Sequence, residues 1–192
     1  VREYKLAALS NDTRDRADLV TFLEQCDTID QDVERSDFHT DATGEYQTKL
    51  RRILRTFVFH NLDRGYVQGM LDLLEPILFV LNNEASSFQC FSYLLERSGS
   101  RFDCNSETGI EWSLSKLRTL LAYEEPELSD RLKLLDADYL FFTYRWFLLD
   151  FKREFETSEE VLLLWEATWV GCATTTTATT TRTTTTPPPP PP

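Results

Sequence analysis

The sequence predicts an all-α fold, and three observations support this prediction. Apolar side chains recur at helical spacing through most of the chain from residue 46 onward. No stretch shows the strict alternation of apolar and polar residues that marks a half-buried strand, and no hairpin signal is present. The 192 residues are enough for one domain with a sizeable core. We therefore expect a multi-helix domain built around one apolar interior.

Before residue 83, the sequence predicts two clear helices and one weaker helical segment. Residues 19–25 are the only helical hint near the N-terminus, whereas residues 46–60 form a clear amphipathic helix. Its apolar stripe consists of Leu50, Ile53, Leu54, Phe57 and Val58. A break follows, and the next helix covers about residues 67–82 and contains Pro76. Because proline removes a backbone hydrogen bond, we expect a kink there.

Five more helices are predicted after residue 83. Residues 84–98 and 109–123 each have an apolar face, and a helix over 124–135 carries proline in its first turn. Residues 136–151 are apolar nearly all round, which predicts a buried central helix. The last helix covers residues 157–170. Its start fits a capping box of Thr157 with Glu160, and Ser158 is the alternative cap.

The C-terminal 21 residues differ from the rest in composition. After residue 171 the sequence consists almost entirely of threonine and proline. Such a segment lacks the apolar residues needed for a core, so residues 172–192 are predicted to be a disordered tail. A linker or a proline-rich ligand is the functional alternative.

Charge argues against two classes of partner. The chain has 32 acidic and 20 basic residues, a net charge of −12, and should be repelled by phosphate backbones and anionic membrane surfaces. The basic residues 49–55 are interpreted as a solvated helix face. The longest apolar stretch, residues 139–151, is short for a membrane span and carries Arg145. We expect neither nucleic-acid binding nor membrane insertion.

The residues that usually bind metals or carry out catalysis form no recognisable pattern. The four cysteines are scattered, no CxxC pair occurs, and the two histidines are isolated, so no metal site and no disulfide framework are expected. Free cysteines favour a reducing, intracellular compartment. The GxxxxGK[ST] phosphate loop and the GxSxG and HExxH motifs are absent. We therefore expect no self-contained active site.

Two polar clusters remain as candidate sites. In the first, Arg35 follows Asp32 by three positions, so the two side chains meet on one helical turn. The alternative there is a surface helix N-terminus with acidic residues complementing the dipole. In the second, Gln68 and Asp72 share a helix face, and Gly69 between them allows close approach of a backbone or ligand. The alternative is a simple helix start after a glycine turn.

Four segments together resemble a known family. They are IDQDVERSD (29–37), GYVQGMLDLLEPIL (65–78), YRWFLLDFKREF (144–155) and LLLWEATW (162–169), in that order. The set is similar to the TBC domain, the family of GTPase-activating proteins for Rab-type small GTPases. By this resemblance, residues 28–171 form a TBC domain with its N-terminal and central helices only, incomplete at its C-terminal end. Residues 1–27 are then an N-terminal helical extension.

The resemblance implies a mechanism that uses two residues in trans. Arg35 matches the family's arginine finger and Gln68 its glutamine finger. The chain would then be a GTPase activator, not an enzyme, and it would need no cofactor, because its partner carries GTP and Mg²⁺. The implied partner is a Rab-type GTPase in its GTP-bound state. The implied role is in vesicle trafficking, with a cytoplasmic location and recruitment to endomembranes through the GTPase.

The resemblance also implies supporting roles. Asp32 is expected to hold the Arg35 guanidinium, while Tyr66, Gly69 and Asp72 brace the glutamine turn and the GTPase interface. Arg145, in the most apolar segment, is expected to form a structural ion pair, since an unpaired buried charge is very unfavourable.

The sequence departs from the family pattern at three positions near the fingers. Ser36 stands where threonine is usual, and Leu71 and Glu75 replace small residues. The last two are expected to alter the docking surface. A non-catalytic GTPase-binding or scaffold module, or a truncated and inactive fragment, is the alternative function.

Overall fold

The computed structural model describes residues 13–36, 43–98, 102 and 109–180. Throughout these residues the regular structure is helical, with no strand, which confirms the all-α prediction. The chain divides into two compact units, one ending at Glu154 and the other beginning at Phe155. None of the described helices is long and apolar enough to cross a membrane.

The first unit contains seven α-helices among its described residues, with a short 3-10 helix, Phe141–Thr143, before the last of them. The helices are α1 Thr13–Arg35, α2 Glu45–His60, α3 Met70–Leu81, α4 Glu84–Arg97, α5 Ile110–Glu124, α6 Pro126–Leu134 and α7 Tyr144–Leu148. The second unit contains α8, Ser158–Thr180.

Helix α1 is much longer than the sequence pattern predicts. It runs for 23 residues and crosses positions 27 and 28 without a break. The predicted boundary between the N-terminal extension and the TBC domain therefore falls inside a helix. Cys26, Ile29 and Val33 are buried at helical spacing along its inner face. Because the helix ends at Arg35, Asp32 lies near a C-terminus. The alternative interpretation of this cluster as a helix N-terminus is therefore wrong.

The main core is formed by α1 to α4. All five apolar residues of the predicted α2 stripe are buried, which confirms that prediction. Phe57 of α2 packs edge-to-face on Phe91 of α4, with ring centroids 5.3 Å apart. Helix α3 continues through Pro76 and is buried over most of its length, so it lies at the centre of this core.

A smaller cluster is centred on α5. Ile110 and Leu114 of α5 pack with Leu140, and further apolar side chains of α5, α6 and α7 surround them. Proline occupies the first turn of α6, as predicted.

The prediction of a buried helix over residues 136–151 is wrong. Leu140, Asp150 and Phe151 have left-handed backbone conformations, which a right-handed helix does not accommodate, so only the 3-10 turn and the five-residue α7 form. Phe141 and Phe142 are 65% and 56% exposed. A pattern that is apolar on every side carries no periodicity, so it does not distinguish a buried helix from a series of tight turns.

In the second unit, α8 begins at the predicted capping box. Glu160 donates its backbone N–H to the Thr157 hydroxyl, and its carboxylate accepts the backbone N–H of Thr157. Thr157 is therefore the cap, not Ser158. The helix continues to Thr180, past the predicted start of the tail at residue 172, and residues 181–192 lie outside the described part, so a disordered tail stays a prediction. Once nucleated, a helix gains one hydrogen bond per added residue.

Candidate functional site

Arg35 is the last residue of α1 and is exposed. Among the described residues, no side chain forms a hydrogen bond or an ion pair with its guanidinium. The side chain therefore projects from the end of α1 into solvent, where it is available to a partner.

Gln68 lies in the turn that leads from α2 to α3 and is exposed. It is followed by Gly69, the N-cap of α3, which has a φ of 105°. A Cβ atom at Gly69 would lie 2.8 Å from Cδ2 of the buried Leu149, so a side chain here would clash as well as strain the backbone. Glycine thus lets the turn pack tightly beneath the exposed amide of Gln68.

Tyr66 ties this turn to α1 through two hydrogen bonds. Its backbone N–H donates to Gln25 Oε1 at 3.0 Å, and its hydroxyl donates to Asp32 Oδ2 at 2.8 Å. Burial, together with the hydrogen bond to Asp32, raises the pKa of Tyr66 far above its usual value, so the hydroxyl remains a donor at physiological pH. The segments that carry Arg35 and Gln68 are therefore held against each other.

The geometry assigns Asp32 a different contact from the one expected. The structure does not bring Asp32 and Arg35 together as an ion pair. The Asp32 carboxylate instead accepts the Tyr66 hydroxyl from the neighbouring turn.

Asp72, in the first turn of α3, is 5% exposed and is held by two cations. The Arg153 guanidinium donates to both of its carboxylate oxygens, at 2.8 and 2.9 Å, and Lys152 Nζ lies 3.0 Å from Oδ1. The hydrogen bond that Arg153 donates to Asp72 raises the pKa of Arg153. This bidentate pair connects the start of α3 to the segment after α7.

Glu75 is a second buried carboxylate, one turn further along α3 and 2% exposed. Lys152 Nζ donates to its Oε2 at 2.6 Å, and the Ser36 hydroxyl donates to its Oε1. Burial raises the pKa of Glu75, and the ammonium of Lys152 opposes this effect only in part.

All of these residues lie in a part of the sequence that is similar to a known family. The sequence matches the model of the Rab-GTPase-TBC domain over residues 7–184, which is more than half of the chain. The chain belongs to the Rab-GTPase-TBC domain family. The match includes α1, the glutamine turn, the buried carboxylates of α3 and the cations that hold them.

Several curated relatives are similar over most of the chain. Rab GTPase-activating protein tbc-8 of Caenorhabditis elegans is 38% identical over 159 residues, which cover 81% of this chain and 17% of the relative. Small G protein signaling modulator 2 of Mus musculus is 40% identical over 73% of this chain and 14% of its own length. TBC1 domain family member 17 of Homo sapiens is 40% identical over 74% of this chain. That match covers 22% of the human protein, so this chain spans a small part of each relative.

Two expectations drawn from the TBC resemblance need correction. Leu71 and Glu75 are both buried, so neither side chain forms part of a docking surface. Arg145 does form an ion pair, with Nη2 3.2 Å from Glu154 Oε1, but its side chain is 60% exposed. The burial from which this pair was inferred is absent, because residues 136–151 do not form the expected helix.

Three supporting residues of this TBC domain were not predicted from the sequence: Gln25, Lys152 and Arg153. The sequence did indicate that two cations were needed. The apolar segment that forms α3 contains two carboxylates, and these require partners when the segment is buried. The adjacent pair Lys152–Arg153 is the basic part of a segment used for the resemblance. Gln25 gave no such signal, because its role depends on long-range packing of α1.

The site as a whole offers two exposed polar side chains on a rigid support. No group of three or more His, Cys, Asp or Glu side chains is placed to hold a metal ion in the part of the chain that is described. Arg35 supplies guanidinium donors, and Gln68 supplies one amide donor group and one acceptor. Such groups can stabilise and orient a reacting phosphate that is bound to another molecule.

Proposed function

We propose that this TBC domain accelerates GTP hydrolysis by a Rab-type small GTPase, with Arg35 and Gln68 acting in trans. The observation that carries the proposal is the hydrogen bond between the Tyr66 hydroxyl and Asp32. It joins the helix that ends at Arg35 to the turn that presents Gln68, and it leaves both of those side chains exposed.

The proposed role of Arg35 follows from the charge of the transition state. In GTP hydrolysis, negative charge spreads over the phosphate oxygens, and an arginine inserted by an activator stabilises that charge. In GTPase systems such a finger raises the rate by roughly 10³–10⁵. An arginine serves better than lysine here because its fork of donors reaches more than one oxygen.

Gln68 has a proposed role in placing the attacking water. Its amide donates to one atom and accepts from another, so it can orient a water molecule without removing a proton. The tight turn at Gly69 limits the positions available to the amide. A fixed amide reduces the entropy lost when the reacting groups are aligned.

The partner is proposed to be a Rab-type GTPase in its GTP-bound state. It would supply the nucleotide and Mg²⁺, so the chain needs no phosphate-binding loop. The chain would act in the cytoplasm in vesicle trafficking, and reach endomembranes through the GTPase.

The test is single-turnover GTP hydrolysis on a panel of Rab GTPases. The variants are Arg35→Ala and Gln68→Ala. Matched controls are Arg52→Ala, which removes an exposed arginine of α2, and Gln89→Ala, which removes a glutamine of α4. We expect stimulation by the wild type and by both controls, and a loss of at least about 100-fold in each finger variant.

Two outcomes would contradict the proposal. Acceleration of no GTPase, with GTP-dependent binding that is insensitive to Arg35→Ala, would indicate a non-catalytic binding module. Full activity of either finger variant would exclude the two-residue mechanism. A cooperative thermal melt of each variant confirms that lost activity does not reflect unfolding.

A further inference from the structure

We propose that Glu75 is a positioning residue for Arg35. Its buried carboxylate holds the hydroxyl of Ser36, the residue that follows Arg35, and thereby determines where α1 ends. The inference rests on the proposed function for its catalytic consequence, but the contact itself is independent of any activity.

Each oxygen of the Glu75 carboxylate has one described partner. Oε2 accepts from Lys152, and Oε1 accepts from Ser36. The backbone carbonyl of the same residue accepts the Tyr46 hydroxyl at 2.7 Å. With 2% of the residue exposed, water does not replace these partners easily. The contact with Lys152 and the burial of the side chain therefore make the Glu75 carboxylate a fixed point to which the end of α1 is attached.

The end of a helix needs such an attachment. The last carbonyl groups of a helix have no partner within the helix, and terminal turns fray readily. Ser36 lies just beyond the last helical residue, and its N–H reaches the Val33 carbonyl at 3.3 Å. Arg35 has no described partner of its own. Its Cα atom thus lies between the last turn of α1 on one side and the Ser36–Glu75 contact on the other.

The same carboxylate is also linked to the segment that presents Gln68. Lys152 bridges Glu75 and Asp72, at 2.6 and 3.0 Å, and Asp72 lies one helical turn after Gln68. A continuous path of hydrogen bonds and ion pairs therefore runs from Ser36 to the start of α3. Because removal of one member of a buried charge pair leaves its partner unsatisfied, the path is expected to act as a unit.

The experiment compares Ser36→Ala with Tyr46→Phe. The first removes the hydroxyl that donates to Glu75 Oε1, and the second removes a buried hydrogen bond to the backbone of the same glutamate. Ser36→Thr keeps the hydroxyl and is the rescue variant. The readouts are amide hydrogen exchange at residues 34–36, and kcat and KM for stimulated GTP hydrolysis by the responsive Rab GTPase.

We expect Ser36→Ala to increase exchange at residues 34–36 and to lower kcat by about 5-fold to 100-fold, with KM within about twofold of wild type. A misplaced group slows the chemical step more than it weakens binding. Ser36→Thr should restore both exchange and kcat. Tyr46→Phe should lower the melting temperature while keeping wild-type exchange at the end of α1 and wild-type kcat.

The two readouts separate the possible failures. Unchanged exchange at residues 34–36 in Ser36→Ala would overturn the proposal, whatever the activity. A loss of kcat in Tyr46→Phe as large as that in Ser36→Ala would also overturn it, because the effect would then be one of general stability. If the wild type stimulates no GTPase, the proposed function fails, and exchange alone still decides whether Glu75 holds the end of α1.

Discussion

Glycine at position 69 is needed for both backbone and packing reasons. Its φ of 105° disfavours any residue with a Cβ atom, and the buried Leu149 side chain occupies the space that the atom would fill. Gly44 provides a comparison, since it also has a positive φ, of 68°, but a Cβ atom added there would meet nothing within 4 Å. Substitutions at these two glycines therefore distinguish the effect of backbone strain from that of steric overlap.

We predict that Gly69→Ala destabilises the protein more than Gly44→Ala does. The backbone strain at Gly44 should lower the free energy of unfolding by about 1 kcal/mol. At Gly69, overlap with Leu149 should bring the loss to about 3 kcal/mol. Urea denaturation of both variants measures the difference. Equal losses would show that Leu149 moves aside without penalty.

Glu75 should make stability depend on pH in a defined direction. Its pKa in the folded state is raised above the usual 4.5, chiefly by burial. The folded protein therefore retains a proton that the unfolded chain loses. The contribution of Glu75 to the free energy of unfolding is fully present below pH 4.5. It is lost as the pH rises through the raised pKa of the folded state.

We predict that the free energy of unfolding of the wild type, relative to Glu75→Gln, decreases as pH rises above about 4.5. Glutamine does not titrate but keeps an oxygen for Ser36. Urea denaturation across a pH series gives this difference, and Glu127→Gln, at an exposed position of α6, controls for the loss of one negative charge. If the free energy of unfolding of the wild type, relative to Glu75→Gln, instead increased with pH, the fold would stabilise the charged form of the carboxylate.

The spacing of the site residues along the sequence does not predict their partners in the fold. The spacing of Asp32 and Arg35 allows an ion pair on one turn, but Tyr66 of a distant segment takes the Asp32 carboxylate. A helical spacing gives only local neighbours. A contact over 34 positions depends on how α1 and the turn pack, which no local pattern encodes.

Helix α1 acts as the support for the glutamine turn. Gln25 accepts the backbone N–H of Tyr66, and Asp32, two turns later, accepts the hydroxyl of the same residue. The two contacts hold the turn along the length of the helix. Removal of either should loosen the segment that carries Gln68 without unfolding the core.

We predict that Gln25→Ala increases hydrogen exchange at the Tyr66 amide by about fivefold, the effect of losing roughly 1 kcal/mol. The N–H loses its acceptor, and the turn opens more often. NMR exchange measurements check this, and Gln31→Ala, at an exposed position of the same helix, is the matched control. Equal protection of Tyr66 in both variants would mean that the Asp32 contact alone holds the turn.

Helices with one apolar face were predictable, whereas the segment over 136–151 was not. In α2 and α5 the apolar residues recur on a single stripe; the α2 stripe is buried, and the α5 stripe is buried at its start and partly buried beyond it. Such a stripe identifies both the helix and the side that packs. In residues 136–151 apolar residues occupy every side, so nothing in the pattern shows that Leu140 and Phe151 adopt left-handed conformations.

Residues 136–151 leave aromatic side chains on the surface of the first unit. The rings of Tyr139 and Phe141 stack with centroids 5.8 Å apart, and Phe142 meets Trp146 edge-to-face at 6.0 Å. Tyr139, Phe141 and Phe142 are all exposed. Contiguous apolar surface of this kind promotes association between molecules. The net charge of −12 opposes it, and its repulsion is screened by salt.

We predict that the protein self-associates as ionic strength rises and that the double change Phe141→Ser, Phe142→Ser reduces this association. Screening weakens the repulsion between acidic molecules but leaves the attraction between exposed rings intact. Sedimentation velocity at low and high salt measures the association. The control is Tyr93→Ser, which removes an exposed ring from α4. Because Phe141 and Phe142 contribute little to the interior, the double variant should keep the wild-type melting temperature. Salt-independent behaviour, or equal effects of the control and the double change, would show that this aromatic surface does not drive association.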